Sequence, residues 1–342
     1  MTDHTPKETE MRQAPFPSRR KTLQLALALA CAAALPAQAQ DAAWPSKPVR
    51  MVVPFPAGSF TDTVARVMAD TLSRSLGQPV VVENKVGANG VIGVSEAARA
   101  APDGYTLLLT NSSSITINPQ LYRKLSYKTS DLAPVTMVLE APFILTANPE
   151  WASKNNIATV ADLVQYARRN PGAISYGSPG AGNIAHLSYA MLNNRSKIST
   201  THVPYKSTAQ AQLATIAGEL NSSFDVLTAV PHIQAGKLKA LAVTSPQRIA
   251  QLPDVPTMEQ AGIADFNVAF WIGLLVPAGT PTQIVAKLNS AAQGLLNDAK
   301  AKAALGAQGE LTMRAPADFA KRIAAEVPAW GTVIQAEGIA LD

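Results

Sequence analysis

Apolar residues recur along this chain in two alternating rhythms. Short apolar runs bounded by Pro or Gly read as buried strands, and longer stretches with apolar positions three and four apart read as amphipathic helices. Residues 47–54, with Val49, Met51, Val52 and Val53, form the first such run. A Gly-containing loop over 55–62 follows, then a helix over 63–76 whose face carries Val64, Val67, Met68, Leu72 and Leu76 and which Gly77 and Pro79 stop. Strands over 79–83 and 105–110 flank a helix over 91–100 and a turn at Pro102, Asp103 and Gly104. The succession restarts after Pro142 with a strand over 143–147, a helix over 160–169 capped by Thr159, and a strand over 173–178. Short strands at 202–205, 223–226 and 238–244 follow, with helices between them. Helical segments at 282–297 and 316–326 lie near the end of the chain, and 271–276 reads as a strand able to return to the first sheet. Strands that alternate with helices imply an α/β fold with mostly parallel sheets covered on both faces.

That restart predicts two lobes: residues 44–141 with 246–342, and residues 142–245. Some 300 residues exceed what one core organises, and an apolar content of 47% supplies two cores. The first 39 residues stand apart. Ser18, Arg19, Arg20 and Lys21 precede an apolar run from Leu23 to Leu35, and Ala37, Gln38 and Ala39 form a small-x-small cleavage site. This reads as an export signal cleaved after Ala39, and its Ser-Arg-Arg start leaves both general secretion and twin-arginine export open. The only cysteine, Cys31, lies inside it. The mature chain therefore has no disulfide and no cysteine metal site. Removing the leader's five basic and three acidic side chains from the 29 and 24 of the full chain leaves 24 against 21. So mild a charge offers no basic stripe for nucleic acid. With three histidines left and no close carboxylate pair, neither a metal nor a cofactor is expected.

The stretch SYGSPGAGNIAH, residues 175–186, carries the candidate chemistry. Gly180, Gly182 and Ala185 match the dinucleotide fingerprint after a strand and before a helix. That fingerprint also wants an acidic residue about 20 positions on, where residues 201–206 hold no carboxylate. The nucleophile elbow G-x-S-x-G fares worse, because Tyr176 stands where its first Gly belongs. What remains is a Gly-rich turn that exposes unpaired N–H groups and the positive end of a helix dipole, which suits an anion. The loop at 56–62 repeats the device and adds the Ser59 and Thr61 hydroxyls. Facing each other across a cleft, the two turns would hold a small molecule. Taken singly, Thr61 or Asp62 would merely cap its helix.

Several segments resemble the Bug-type, TctC-like receptors, the periplasmic solute-binding components of tripartite tricarboxylate transporters. They include PVRMVVPFPAGSFTDTVAR (48–66), LGQPVVVENKVGANGVIG (76–93), YGSPGAGNIAH (176–186), HVPYKS (202–207), LPDVPTMEQAG (252–262) and WIGLLVPAGTP (271–281). The resemblance runs in order over nearly the whole mature chain. It implies a periplasmic-binding-protein type II fold, two α/β lobes with a ligand cleft between them. It also implies a periplasmic, monomeric receptor, not an enzyme, that binds a small mono- or dicarboxylate, an aromatic acid or an amino acid, and delivers it to a membrane permease. Carried over, the first loop would supply Ala57, Gly58, Ser59, Phe60, Thr61 and Asp62, and the segment after the third strand Asn111, Ser112 and Ser113. The second lobe would add Ser178, Gly180, Ala181, Gly182, Asn183 and His186, with Tyr205, Phe224 and Asp225. Ser59 departs from the family pattern, which has a second glycine there. Phe60 either roofs a ligand or packs as a staple on its helix, and Asp225 either faces an ammonium group or holds a loop. Two other readings stay open: a receptor that signals to a membrane sensor kinase, and an exported hydrolase or nucleotide enzyme using the loop from Ser178 to Gly182.

Overall fold

The first buried run, β1 (Val49–Val53), has apolar side chains on both faces and forms the centre of a parallel trio with β2 (Val80–Asn84) and β3 (Thr106–Asn111). This computed structural model describes residues 1, 2, 44–306, 308–336, 338 and 339. The expected export leader falls almost wholly on residues 3–43 and so lies outside the described residues.

Helix α1 (Phe60–Leu76) joins β1 to β2 and ends on Gly77 at φ +69, a left-handed position that costs glycine little. It starts three residues before the predicted helix because Ser59, not Thr61 or Asp62, is the cap. Helix α2 (Val91–Ala98) leads to β3, after which the chain runs through a π-turn at Ser113–Ile117. Strand β4 (Leu132–Pro142) then crosses the sheet and β5 (Ile144–Ala147) opens a second one. Next come α3 (Val160–Arg169), β6 (Ser175–Ser178), α4 (Ile184–Ser196), β7 (Thr201–Pro204), α5 (Thr208–Ala217), β8 (Ser222–Asp225) and β9 (Lys239–Val243). Strand β10 (Ala269–Pro277) returns to the first sheet, followed by α6 (Thr282–Gln293), α7 (Ala299–Gly306), β11 (Glu310–Arg314) and α8 (Pro316–Ala336). No helix among the described residues is long and apolar enough to cross a membrane.

The described residues from Pro45 onward form one compact unit holding both sheets, ordered β11-β4-β10-β3-β1-β2 and β7-β6-β8-β5-β9. The sheets are mixed, not mostly parallel: β3, β10, β4 and β11 pair antiparallel in the first, as do β8, β5 and β9 in the second. The long return of β10 beside β4 causes this in the first sheet, because Ala269 pairs with Pro142 and Pro277 with Leu132.

The chain therefore passes between sheets twice from one place, at Phe143 and over Thr244–Val268. The Phe143 N–H donates to Thr244 Oγ1 at 2.8 Å, Thr244 N–H to Phe143 O at 2.9 Å, and Val268 N–H to Thr244 O at 3.2 Å. The core between the first sheet, α2 and α8 gathers Val52, Val94, Leu108, Met137, Trp271 and Phe319.

Candidate functional site

Where β1 ends, the chain turns through Gly58 at φ +76 and enters α1. Ser59 caps that helix, its Oγ accepting from Asp62 N–H at 3.3 Å, while Ser59 O takes Thr63 N–H at 2.9 Å. The N–H groups of Phe60 and Thr61 have no acceptor among the described residues. They are the free donors every helix start leaves, and they carry its positive dipole end.

The opposite wall comes from the second sheet. The Gly-rich turn before α4 was expected to offer the matching donors, but most of them are occupied. Gly182 N–H donates to His186 Nδ1 at 3.0 Å and Ala185 N–H to the capping Asn183 Oδ1 at 3.0 Å. Ile184 N–H donates to Ser113 Oγ at 3.1 Å, a bond that reaches over from the other sheet's π-turn. Helix α5 supplies the open end instead. Ser207 caps it by accepting Gln210 N–H at 3.3 Å, and Thr208 N–H is unpartnered. The signal lay in the sequence as Ser207 followed three residues on by Gln210, an N-terminal capping pattern.

Between these walls lies a narrow cleft, partly open to solvent. Of the predicted site residues it brings together Ser59, Phe60, Thr61, Asn111 and Asn183. To these it adds Phe55, Phe143, Pro179, Ile184, Lys206, Ser207, Thr208, Val226 and Phe270. The Phe60 ring meets Phe270 edge-on at 5.2 Å, and Phe143 tilts against Phe270 at 5.2 Å. Phe60 is thus a cleft wall; as the first helical residue it does not stand before the cap, where a staple stands. Among the described residues Lys206 is the one charged side chain on the lining, and it makes no ion pair with any of them. A second cavity behind the chain crossings is lined by Glu140, Glu310, Arg248 and Arg322. Its carboxylates oppose an anion, and Arg322 already pairs with Glu140 at 2.7 Å.

The remaining predicted residues stand off the cleft. Ala57 and Gly58 are exposed, and Gly58 N–H donates to Asp62 Oδ2 at 2.8 Å. The buried Asp62 carboxylate also accepts Arg66 Nε at 2.8 Å and Asn84 Nδ2 at 2.8 Å, so it braces the loop. Ser112 is buried with its hydroxyl unpartnered. Gly180 and Ala181 belong to the turn, and Gly180 adopts φ +134. Tyr205 extends β7 through its N–H to Ser178 O at 2.8 Å. Phe224 packs edge-on against Tyr189 at 5.0 Å in the interior of the second sheet.

Ser178 and His186 join a column of rings. His186 stacks on His202 at 4.1 Å, and His202 on Tyr176 at 5.1 Å. Ser178 Oγ lies 2.7 Å from His202 Nε2 and donates to Gly180 O at 2.9 Å. Burial lowers both histidines to about 4, with the neighbouring His186 a further cause for His202.

Asp225 does not line the cleft, and its partners are side chains of strands, not of a loop. It is buried beneath α5, where Oδ2 accepts from Thr146 Oγ1 at 2.5 Å and Ser223 Oγ at 2.6 Å, while Oδ1 has no partner. Burial raises its pKa to about 6. A raised carboxyl binds its proton better folded than unfolded, so its ionisation weakens the fold above pH 6 and the penalty disappears as pH falls toward 4. The two histidines act oppositely over that range, so the comparison must be between variant and wild type. Asp225→Asn should stabilise the protein by about 1–3 kcal/mol at pH 7.5 and by little at pH 4.5, read from urea unfolding at each pH. Gln212, whose Nε2 is also buried and unpartnered, can turn over to accept the new amide.

Among known proteins, a family model described as tripartite tricarboxylate transporter family receptor matches residues 64–339. Protein BugT of Bordetella pertussis is 36% identical over 302 residues, covering 87% of this chain and 91% of its own. The solved structure of the periplasmic binding protein BugD is 34% identical with a TM-score of 0.79, covering 87% of this chain and 99% of that one. MatC from Rhodopseudomonas palustris with bound malate is 33% identical with a TM-score of 0.79, covering 85% of this chain and all of that one, 100%.

Proposed function

The chain belongs to the receptor family of tripartite tricarboxylate transporters, and from that premise we propose that it captures a small carboxylate between its two sheets and hands it to the membrane permease of such a transporter. One observation carries the reading. Helix starts with unpartnered N–H groups, at Phe60 and Thr61 on one wall and Thr208 on the other, face one cleft that has an unpaired lysine and no acidic side chain. The malate held by MatC supports the same ligand class. Ser59, Thr61, Asn111, Asn183 and Ser207 complete the polar contacts.

In this reading the lobes are residues 44–141 with 246–342, and residues 142–245. The paired crossings at Phe143 and Thr244 form the hinge, and the Ser113 bond to Ile184 belongs to the closed state. The leader carries the chain to the periplasm, the compartment of BugD. Its family consists of receptors, not enzymes, which supports a binding role.

The test is titration of carboxylates into mature protein refolded from denaturant. A bound acid at a hundredfold its Kd adds about 2.7 kcal/mol, a rise of several degrees in Tm. Thr208→Pro removes an open donor without breaking a helix bond, and Ser207 before it is already extended, at φ −156 and ψ 159. Affinity should fall at least about fivefold while the ligand-free Tm holds. Stabilisation by nucleotides alone would sink the proposal.

A further inference from the structure

We propose that the cleft is built for a carboxylate carried on a flat aromatic ring, an inference that rests on the receptor reading above. The lining is mainly apolar and its apolar part mostly aromatic, with Phe55, Phe60, Phe143 and Phe270 joined by Ile184 and Val226. Three of these rings meet at 5.2 Å with interplanar angles of 75° and 45°. That arrangement presents ring edges and faces together, the geometry in which a further ring finds favourable offset or edge contacts.

A short hydroxylated diacid has almost no apolar surface to set against those rings, and a second carboxylate placed among them would lose its water without a partner. The charge on the lining points the same way. Lys206 alone matches one carboxylate, and the donors of Phe60, Thr61 and Thr208 can share that group's two oxygens. Ser59 adds a hydroxyl beside them while its own oxygen caps α1. The ring then lies toward Phe143, at the first chain crossing, and Phe270, in β10 two residues past the second, so an aromatic body would fill the cleft beside the hinge.

Calorimetric titration of benzoate, cyclohexanecarboxylate and malate into the refolded mature protein tests this, alongside Phe60→Leu and Thr208→Pro. Benzoate should bind at least roughly tenfold more tightly than malate and more tightly than the saturated ring acid. Phe60→Leu keeps the apolar bulk and should weaken benzoate about three- to tenfold, leaving malate within about twofold. Malate binding more tightly than both ring acids, with Thr208→Pro still weakening it, overturns the inference and leaves the receptor reading intact. Equal binding of the two ring acids, or an equal effect of Phe60→Leu on benzoate and malate, overturns the aromatic assignment. Binding of none of the acids, with no effect of Thr208→Pro on any Tm shift, overturns both readings.

Discussion

Trp271→Ala should lower stability by about 3–5 kcal/mol, the loss typical of a large aromatic removed from a packed core. The indole is fully buried, meets Phe319 edge-on at 4.8 Å and donates from Nε1 to Glu326 Oε2 at 2.8 Å. Glu326 also takes Arg322 Nε at 2.5 Å, and Arg322 reaches Glu140 at 2.7 Å, so the ring anchors α8 to β10 and to the end of β4. Glu326 keeps its arginine when the indole goes, so cavity formation dominates the cost. Trp271→Phe should lose less, about 1–3 kcal/mol. Urea unfolding followed by circular dichroism measures both, and a loss below about 1 kcal/mol for the alanine variant would mean that the site collapses. Side chains alternate along a strand, so Phe270 lines the cleft while Trp271 enters the core. Ligand affinity of the folded alanine variant should therefore change little.

Asp62→Ala should cost about 2–4 kcal/mol and weaken carboxylate binding by more than about tenfold. Its side chain is 2% exposed. Removing it strands Gly58 N–H, leaves Asn84 Nδ2 with Phe55 O as its one remaining acceptor, and releases the turn that aims the Phe60 and Thr61 donors. Burial alone would raise this carboxyl, but Arg66, Asn84 and the Gly58 N–H together hold it below its ordinary 3.8. A lowered carboxyl stabilises the fold above its unfolded pKa, and that contribution is lost as pH falls through the folded value. The gap between variant and wild type should accordingly be full at pH 7 and shrink below about pH 4. Asp62→Asn should be nearly as harmful, because its amide would face three donors. Arg66→Ala should cost under about 1 kcal/mol, since that guanidinium is 55% exposed. Equal losses for Arg66→Ala and Asp62→Ala would refute the bracing role.

Much of this architecture was legible along the chain because its causes are local. Helix α3 follows from a Thr159 cap whose oxygen accepts Asp162 N–H at 3.2 Å and from one apolar face. Gly77 ends α1 through a left-handed backbone conformation that neighbours hardly influence, whereas its start was misplaced by three residues because Ser59, not Thr61 or Asp62, is the cap. Strand β4 was not legible, because Pro134 and Pro142 argue against a strand, yet it lies between β10 and β11. Its pairing with β10 shifts register twice, at Ile272/Gly273 and Leu274/Leu275. Likewise β10 read as a strand, but nothing near it announced that Phe270 would meet Phe143.

The chain's order of residues thus determined its α/β class, its helix caps, its Gly-rich turns and its family, all of which depend on short stretches. Tertiary structure alone decided which helix start is free to bind. Ile184 N–H is taken by a hydroxyl 71 positions away in the chain, at Ser113, whereas Thr208 and Phe60 are left open. A donor's availability depends on what packs against it, and packing partners distant in sequence are chosen by the sheets that bring them together.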